Sequence, residues 1–464
     1  MKVLQLLMSL TCLMVLGLFS GCAVKVERPI ETPFALPTSF SDSGSSALSG
    51  KWWLAFEDDA LNKLIEQSLN DNFSLKSSWA RLSQANAVYK KSSSGLFPTV
   101  EGDAGGSHII DYKDGTTVKS DKLTLGLSAS YEVDLWGRID SEIEAARLDM
   151  EATAADLDAA AMTLSAEVAD TWYRLIRHKA SLELYDQQIK TNIKALDLIT
   201  TQMRTGQVPI ADVLQQRQLI ESQQGEKAQL VSEMGQTEHR LTILLGQVPG
   251  IQNFEVPAEI AALPDLPVTG IPAELIRQRP DIHSSYLVLK AADERVAAAV
   301  ANQYPSLRFT VSLETINGSA SSLFDNYISS IIAGITAPLF DGGLRRAEVE
   351  RSQGVVEQAL SEYGQAVLTA VGEVEDALLF ERQQQQYIHS LEAQLDYASL
   401  TMEQLKERYL KGIENYQRVL TALTSLQSLE QKLITAKTDL LLNRVDLCRA
   451  LGTGWDYSKK ENNA

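Results

Sequence analysis

The chain is written as two copies of one unit, and this duplication constrains its fold more than any other feature. Phe97-Pro98 returns as Tyr304-Pro305, 207 residues later, and Gly137 returns as Gly343, 206 residues later. Later landmarks keep the offset of 206: Glu167-Val168, Gly206, Val213-Leu214 and Leu245-Gly246 return as Glu373-Val374, Gly412, Val419-Leu420 and Leu451-Gly452. Chance matches would scatter, so this constant register indicates a tandem duplication of a unit of about 206 residues.

Each copy has the same predicted order of elements. A helical stretch ends at an aromatic-Pro pair, which stops a helix, and two strands joined by a polar turn segment follow. A very long helix follows and is broken at a glycine, Gly206 in the first copy and Gly412 in the second. A return helix completes the copy. The predicted boundaries are 57–95 and 272–303 for the first helix, about 98–111 with 121–135 and 305–317 with 328–340 for the strands, 138–204 and 344–410 for the long helix, and 210–246 and 416–451 for the return helix.

The predicted helix lengths fit one another. A helix of 67 residues spans roughly 100 Å, whereas the return helix and the first helix span about 55 Å and about 48 Å. Stacked end to end, the two shorter helices equal the long one. We therefore predict a rod with a strand hairpin at one end and a helix-turn-helix tip at the other, with the proline-rich segment 251–271 as a linker at mid-height.

The strands have one apolar and one polar side. Residues 123–135 alternate without a slip, with apolar side chains at odd positions, and residues 307–314 alternate in the same way. Four strands cannot close a membrane barrel, because the smallest use about eight. Two chains would give eight strands around a filled interior, and three would give twelve strands around a lumen. A soluble β-domain that caps a helical bundle is the alternative interpretation.

The amino terminus is typical of a secreted lipoprotein. A basic Lys2, an apolar run over 3–19 and small residues before Cys22 predict a signal peptide over 1–21. Residues 18–22 resemble the bacterial lipobox, in which Cys22 becomes the acylated first residue, although Phe19 stands where that pattern usually has Leu. Ala23 after the cysteine indicates the outer membrane, and residues 22–50 are predicted to form a lipidated linker. An ordinary signal peptide or anchor helix with a chance cysteine is the alternative.

Composition argues against other classes of protein. A net charge of −18 disfavours nucleic-acid binding, which needs a basic surface. The five histidines stand at none of the spacings typical of metal sites, and nucleophile elbows and phosphate-binding loops are missing from the sequence. After processing, Cys448 remains alone as a small buried hydrophobe. We therefore expect a protein that is not an enzyme and whose only attached group is the lipid on Cys22.

The motifs match a known family over essentially the whole chain. "KWWLAFEDDALNKLIEQSL", "LFPTVEG", "YEVDLWGRI", "RQRPDI", "NQYPSLRF" and "APLFDGGLRRA", together with the duplication, resemble the TolC-like outer membrane factors, in their efflux lipoprotein (NodT/OprM-like) branch. The resemblance implies a mainly α-helical homotrimer with one 12-stranded membrane β-barrel, to which each chain gives four strands, and a periplasmic tunnel of long coiled helices. It implies an exit duct for a tripartite efflux pump, with a periplasmic adaptor and an inner-membrane transporter of the RND type.

Two other functions are compatible with parts of this pattern. One is a periplasmic coiled-coil adaptor lipoprotein, which would carry one helical hairpin inside split β-domains instead of a duplicated unit. The other is the exit channel of a type I secretion system.

The resemblance also assigns roles to individual residues. Gly206 and Gly412 would form the tip turns at which an adaptor docks, and Trp136 and Phe340 would be membrane-interface aromatics. Several relatives carry gate carboxylates on the second return helix, but here Arg418 and Thr421 stand in those positions. The remaining candidates for a periplasmic gate are Asp212, Glu414, Arg418 and Arg204.

We hypothesise that contacts from Asp212 to Arg418 between neighbouring return helices hold the resting tip shut. The alternative is that these are solvated tip charges, each contributing under about 1 kcal/mol.

Overall fold

The computed structural model describes residues 34–46, 50–251 and 254–452, so that Cys22 and the predicted signal peptide lie outside the described residues. The described part is mostly helical and contains one four-stranded sheet. A short 3₁₀ helix over Trp52–Phe56 comes first. The elements are α1 Asp59–Asp71, α2 Phe73–Ser93, β1 Thr99–Lys113, β2 Thr116–Val133, α3 Arg138–Arg204, α4 Ile210–Leu244, α5 Pro272–Gln278, α6 Pro280–Ala301, β3 Ser306–Asn317, β4 Ile328–Thr336, α7 Leu344–Leu410 and α8 Tyr416–Leu451.

The long helices agree with the sequence prediction. Both α3 and α7 have 67 residues and begin and end at the predicted positions, and α8 also has its predicted limits. The return helix α4 ends two residues earlier than predicted, at Leu244. The ends of these helices could be predicted because a glycine with a positive φ follows three of them, at Gly206, Gly412 and Gly452.

The helix predicted over 57–95 is wrong as a single element, because it breaks at Asn72. This residue leaves the helical region with φ −63° and ψ 126°. Its side chain explains the break: Oδ1 accepts a hydrogen bond from the Leu75 amide at 3.0 Å, and Nδ2 donates to the Leu244 carbonyl at 3.0 Å. Asn72 thus caps α2 and ties it to the end of α4.

The helix predicted over 272–303 also breaks, at Arg279-Pro280. A residue before proline is pushed out of the helical region, and Arg279 has φ −78° and ψ 122°. Its side chain is only 4% exposed and pairs with Asp281 at 2.7 Å and with Glu373 at 2.6 Å. Arg279 Nη1 also donates to the Ala450 carbonyl at 3.1 Å. The "RPD" motif therefore fastens this break to α7 and to the end of α8.

The strands differ from prediction at their turns. We predicted a nine-residue connection in the first hairpin, but β1 and β2 are joined by Asp114 and Gly115 alone, with φ 51° and 78°. Asp-Gly suits such a tight turn because both residues accept a positive φ. Strand β4 ends at Thr336 and not at 340, since Pro338 cannot donate to a strand ladder.

The chain forms two compact units that do not follow the sequence repeats. The sheet unit comprises Ser83–Ala152 and Ser285–Gly364. The helical unit comprises Leu36–Leu82, Thr153–Ser284 and the described residues from Gln365 onward. Each unit takes pieces from both copies of the repeat, because the strands of the two copies pair with each other and the long helices contribute to both units.

Within the sheet unit, the four strands are antiparallel in the order β1-β2-β3-β4. Residues that face each other across a ladder lie on the same side of the sheet. One side joins Tyr131 to Phe309 and Ala333 and is apolar over residues 123–133 and 307–313, with polar residues only toward the hairpin turns. The other side is polar and carries the charged residues Glu101, Asp103, Asp111, Glu132, Arg308 and Glu314. The predicted division of the strands into an apolar and a polar side is thus confirmed.

Within the helical unit, the first 3₁₀ helix contributes a cluster of buried aromatic side chains. Trp52 and Trp53 are 2% and 1% exposed, and their rings meet edge to face with centroids 6.0 Å apart. The indole of Trp172 donates to Asp58 Oδ2 at 2.9 Å, while Asp58 Oδ1 caps the start of α1. Burying three indoles and their leucine neighbours contributes several kcal/mol at about 25 cal/mol per Å². The "KWWLAFEDDALNKL" motif is therefore a packing motif.

The linkers also pack together in the helical unit. Gly44 donates to the Pro267 carbonyl at 3.0 Å, Val268 donates to the Ser46 carbonyl at 2.9 Å, and the two segments form a parallel bridge. A Cβ atom at position 44 would lie 1.7 Å from the Leu266 carbonyl oxygen, so only glycine allows this approach. The segment predicted as a mid-height linker is thus the docking site of the amino-terminal linker.

Over residues 34–46, 50–251 and 254–452, none of the helices combines the length and apolar character needed to cross a bilayer. Within these same described residues, His, Cys, Asp and Glu side chains form no group suited to hold a metal ion.

Candidate functional site

Two equivalent helix turns form the predicted tip of each repeat. After α3, Gly206 has φ 76°, its amide donates to the Met203 carbonyl, and the Gln207 amide donates to the Gln202 carbonyl at 2.9 Å. After α7, Gly412 and Ile413 repeat this pattern of hydrogen bonds. This is the Schellman arrangement, in which a left-handed residue satisfies the last carbonyl groups of a helix. The turns are therefore rigid reversals and not loose loops.

The two turns differ in how they start the return helix. Asn415 caps α8, since its Oδ1 accepts from the Arg418 amide at 3.0 Å. Pro209 stands at the same position before α4 and supplies no side-chain cap. Proline restricts φ through its ring, whereas asparagine holds the helix start by accepting a hydrogen bond from a backbone amide. The two tips therefore reach the same backbone geometry by different means.

The predicted gate charges are distributed unevenly. Glu414 is the most buried of them, with 9% of its side chain exposed, and its Oε2 lies 2.8 Å from Arg418 Nη1 and 3.7 Å from Arg408 Nε. Arg418 is thus paired with Glu414 of its own turn. Arg204 is exposed at the end of α3.

Asp212 lies in the first turn of α4 and is half-buried. Burial raises the pKa of its carboxyl. Burial also raises the pKa of Tyr416, and the nearby Tyr409 and Asp212 raise it further. Asp212 therefore lies close to two tyrosines in its own chain. The hypothesised contact from Asp212 to Arg418 between neighbouring return helices stays a prediction.

An apolar cluster lies beneath the turns and joins all four helices of the tip. Its buried members are Ile199 of α3, Val213 of α4, and Tyr416, Val419 and Leu420 of α8. Met402, Leu405 and Tyr409 of α7 pack against it. The rings of Tyr409 and Tyr416 are 5.6 Å apart. The turns are therefore held by packing as well as by backbone hydrogen bonds.

A network of buried amides follows this cluster along α3, α4 and α8. The Tyr416 hydroxyl donates to Gln216 Oε1 at 2.6 Å, and Gln216 Nε2 donates to the Asn192 carbonyl at 2.9 Å. Asn192 Nδ2 donates to Gln223 Oε1 at 2.6 Å, and Gln223 Nε2 donates to Gln427 Oε1 at 3.0 Å. Asn192 and Gln216 are fully buried. Sequence reading missed these residues, because a glutamine in a helix is ordinarily read as a solvent-exposed position.

The amides of α3 and α4 in this network, Asn192 and Gln223, have no polar counterparts in the second repeat. At the offset of 206, Asn192 and Gln223 correspond to Ala398 and Leu429. Those residues belong to an apolar cluster with Leu391, Ala436 and Leu433. At this level α3 and α4 are thus joined by amide–amide hydrogen bonds, whereas the equivalent residues of α7 and α8 pack through apolar side chains. Elsewhere α7 and α8 are also joined by the buried ion pair of Glu381 and Arg444. Comparing the two copies at equal offset is the signal that could have found this difference.

The predicted interface aromatics lie at the ends of the strands in the sheet unit. Trp136 stacks on Tyr304 with ring centroids 4.8 Å apart, and its indole donates to the Pro305 carbonyl at 2.7 Å. Phe340 is 93% exposed and Leu339 is 95% exposed. An exposed pair of this size, beside a fixed indole, indicates a surface that something apolar covers.

The duplicated hairpins with two chemically distinct sides and the duplicated pairs of long helices with glycine turns define the class of protein to be compared. A sequence profile described as outer membrane efflux protein matches residues 64–247 and again residues 271–453. The chain belongs to this family, and the double match agrees with the duplication found in the sequence.

Individual relatives agree with this assignment. The chain is 26% identical to the cation efflux system protein CusC of Escherichia coli O6:H1 over 445 residues, covering 94% of this chain and 96% of CusC. It is 28% identical to the solvent efflux pump outer membrane protein SrpC of Pseudomonas putida over 87% of both chains. Among solved structures, the outer-membrane channel OprN superposes with a TM-score of 0.87 at 28% identity, covering 94% of this chain and 100% of OprN.

Proposed function

We propose that three copies of the chain form the outer-membrane exit duct of a tripartite efflux pump. The observation that carries this proposal is the four-stranded sheet, which has an apolar side, a charged side and two edge strands, each of which pairs with a single strand among the described residues. Such edges must be covered in a membrane. Three copies give twelve strands around a water-filled lumen lined by the charged side, whereas two copies would leave a filled interior.

The remaining parts of the chain fit this assembly. The long helices would extend the lumen through the periplasm, about 100 Å for each 67-residue helix. Lipid on Cys22 would anchor the amino terminus to the outer membrane, and Trp136 and Phe340 would lie at the membrane interface. The turns at Gly206 and Gly412 would receive a periplasmic adaptor, which joins the duct to an inner-membrane transporter of the RND type.

The cargo follows from the pump and not from the duct. Relatives of nearly equal identity are named for cation efflux, solvent efflux and pyoverdine export. A passive lumen conducts whatever the transporter delivers, so that the inner-membrane partner sets the specificity.

Contacts between neighbouring return helices, from Asp212 to Arg418, are proposed to help hold the resting tip shut. Asp212 is half-buried beside Tyr409 and Tyr416, which supports a role beyond that of a solvated charge. Single-channel recordings of Asp212→Ala and Arg418→Ala should show a raised resting conductance in both variants. If both match the wild type, the gate lies elsewhere.

The assembly itself is tested in cells and in detergent. We expect the wild-type chain to be extracted from the outer-membrane fraction as a trimer that heating converts to monomer. We also expect deletion of the gene to sensitise cells to at least one compound in a panel of dyes, antibiotics, bile salts and metal ions. A soluble monomer, or a wild-type level of resistance to the whole panel, would overturn the proposal.

A further inference from the structure

The internal duplication contains a template for the contact between two copies of the chain. This inference rests on the proposed assembly and adds to it the residue-by-residue register of the intermolecular strand pair. The two edges of the sheet are β1, with 15 residues, and β4, with 9 residues. Both edge strands are exposed along most of their length.

The two hairpins of one chain obey the sequence offsets to the residue. In the first hairpin Thr99 faces Ser130, and in the second Ser306 faces Thr336. Thr99 and Ser306 differ by 207, as do Pro98 and Pro305, while Ser130 and Thr336 differ by 206, as do Gly137 and Gly343. Strand β3 is therefore the repeat of β1 and β4 the repeat of β2, in matched register.

The β2–β3 pair is the junction between the first repeat and the second. In this junction Thr124 faces Ile316 and Gly126 faces Glu314. The corresponding junction, between the second repeat of one chain and the first repeat of the next chain, pairs β4 with β1 of the partner subunit. We propose that it repeats the β2–β3 register, so that Ser330 faces Ile109 of the partner subunit and Ile332 faces Ser107 of the partner subunit.

The proposed register keeps the two sides of the sheet apart. Ile331 and Ile335 lie on the apolar side of β4, since Ile331 faces Val311 and Ile335 faces Leu307. In the proposed register Ile335 faces Ala104 of the partner subunit, which lies on the apolar side because it faces Leu125 in its own chain. A slip by one residue would place the apolar side of one chain beside the charged side of the next, which a sheet with one face in lipid cannot tolerate.

The register also covers the exposed end of β4. Continued past Pro338, it places Leu339 opposite Val100 of the partner subunit, as Val133 lies opposite Leu307 within the chain. Leu339 and Val100 are 95% and 63% exposed in the single chain. In the assembly these two side chains would cover each other, as Val133 and Leu307 do within the chain.

A slip by two residues preserves both sides and must be tested directly. Residues that face each other have Cα atoms about 4.5–5.5 Å apart, within the range of a disulfide, whereas diagonal neighbours about 7–8 Å apart are beyond it. Four cysteine substitutions on the charged side therefore make a matched set: Ser330→Cys or Ile332→Cys combined with Ile109→Cys or Ser107→Cys. Within one chain β1 and β4 are separated by two strands, so that an internal disulfide cannot form.

The four double variants are oxidised in intact outer membranes and separated without reductant. We expect dimer and trimer bands from Ser330→Cys with Ile109→Cys and from Ile332→Cys with Ser107→Cys. The two exchanged combinations should stay at the wild-type background, where the thiol of Cys448 is buried and its pKa is raised to about 12. Resistance of cells to the pump's substrates confirms that each variant is assembled.

The possible outcomes separate this inference from the proposed function. Preferential cross-linking of an exchanged pair would show a two-residue slip and overturn the register, while leaving the trimer in place. Absence of all cross-links from a chain that still migrates as a heat-sensitive trimer would also overturn the register. A wild-type chain that is monomeric in the membrane would instead overturn the proposed function.

Discussion

At the scale of single residues, the tip glycines show how one backbone angle ends a helix of 67 residues. Gly412 has φ 72°, and a Cβ atom there would meet no other atom within 4 Å. Space is therefore not the constraint. The left-handed conformation is the constraint, because every other L-residue except asparagine and aspartate adopts it only with a clear penalty.

We expect Gly412→Ala to lower the stability of the tip by about 1–2 kcal/mol, since alanine must adopt the left-handed conformation. Gly225 is the matched control, because it lies inside α4 and also has open space around it. Gly225→Ala should raise stability by about 0.5–1 kcal/mol through its better helix propensity. Thermal unfolding of the purified variants measures both. A shift of equal sign in the two variants would contradict the assignment of strain to the turn.

A second residue-scale prediction concerns pH. Asp446 lies near the end of α8 with 65% of its side chain exposed, and partial desolvation by the surrounding helices, together with the nearby Asp170 and Glu373, raises the pKa of its carboxyl although Arg449 and Arg174 lower it. A carboxyl with a raised pKa in the folded state favours folding when protonated. It therefore lowers stability as pH rises from its ordinary value of 3.8 through the raised one.

We expect Asp446→Asn to unfold at a higher temperature than the wild type at pH 7. The gain should disappear as pH falls below the ordinary aspartate value, because both side chains are then neutral. Unfolding temperatures between pH 3 and pH 8 measure this difference, with Asp396→Asn of α7, a second exposed aspartate, as the control. A gain that persists unchanged at the acidic end would show that the charge of Asp446 is not its cause.

At the scale of elements, the two repeats use different chemistry to join equivalent helices. The buried amides of Asn192, Gln223 and Gln427 satisfy one another between α3, α4 and α8. A buried hydrogen-bonding group that loses its partner costs about 1–3 kcal/mol, while removing both partners together costs less. The asymmetry between repeats therefore yields a test in which one repeat supplies the substitutions for the other.

Gln223→Leu alone should destabilise the chain by about 1–3 kcal/mol, because Asn192 and Gln427 each lose one buried hydrogen bond and keep only the bonds between them. The double variant Asn192→Ala with Gln223→Leu copies Ala398 and Leu429 of the second repeat, and we expect it to cost less than the sum of the two single variants. Chemical unfolding measures the cycle. Gln229→Leu, at an exposed position of α4, should stay within about 0.5 kcal/mol of the wild type. Additive single effects would show that the amides are not coupled.

The elements show which parts of a fold a sequence can specify. The limits of α3, α7 and α8 follow from glycines and from a repeated hydrophobic pattern, both of which are local. The breaks at Asn72 and Arg279 depend on partners distant in sequence, Leu244 and Glu373, which the chain order does not reveal. Pro280 does mark the second break in the sequence. Proline is also common at the first position of a helix, so that a new helix, α6, begins directly at Pro280 and the pattern looks continuous.

The same division applies to the candidate site. The turns at Gly206 and Gly412 are legible because a glycine must stand there. The ion pair from Glu414 to Arg418 joins residues four apart on one turn, a spacing that sequence can propose but cannot rank against a contact with Asp212. The strand order β1-β2-β3-β4 and its registers needed coordinates, since alternation gives the side of each residue but not its neighbour.

At the scale of the whole molecule, the amino terminus remains a prediction because Cys22 lies outside the described residues. If its thiol carries the lipid, cells fed radioactive palmitate should label the wild-type chain. Cys22→Ser should remove the label completely, while Cys448→Ser should retain it because Cys448 is buried in the helical unit. Persistent label on Cys22→Ser would show that the lipid is attached elsewhere or that the lipobox with Phe19 is not used.

The unequal length of the two hairpins has a consequence for the cell surface. Strand β2 pairs with β3 only from Leu123 to Val133, so that residues 116–122 continue about 24 Å beyond β3, at 3.4 Å per residue, as a ribbon paired with residues 107–113. In the proposed register, β4 of the partner subunit lies beside this ribbon only as far as Asp111. In the proposed orientation this ribbon stands outside the cell, three times around the mouth of the duct, with Asp114-Gly115 at each summit. Three identical ribbons would thereby be exposed at the cell surface together with the β3–β4 connections, where an antibody raised against residues 107–122 should bind to intact cells.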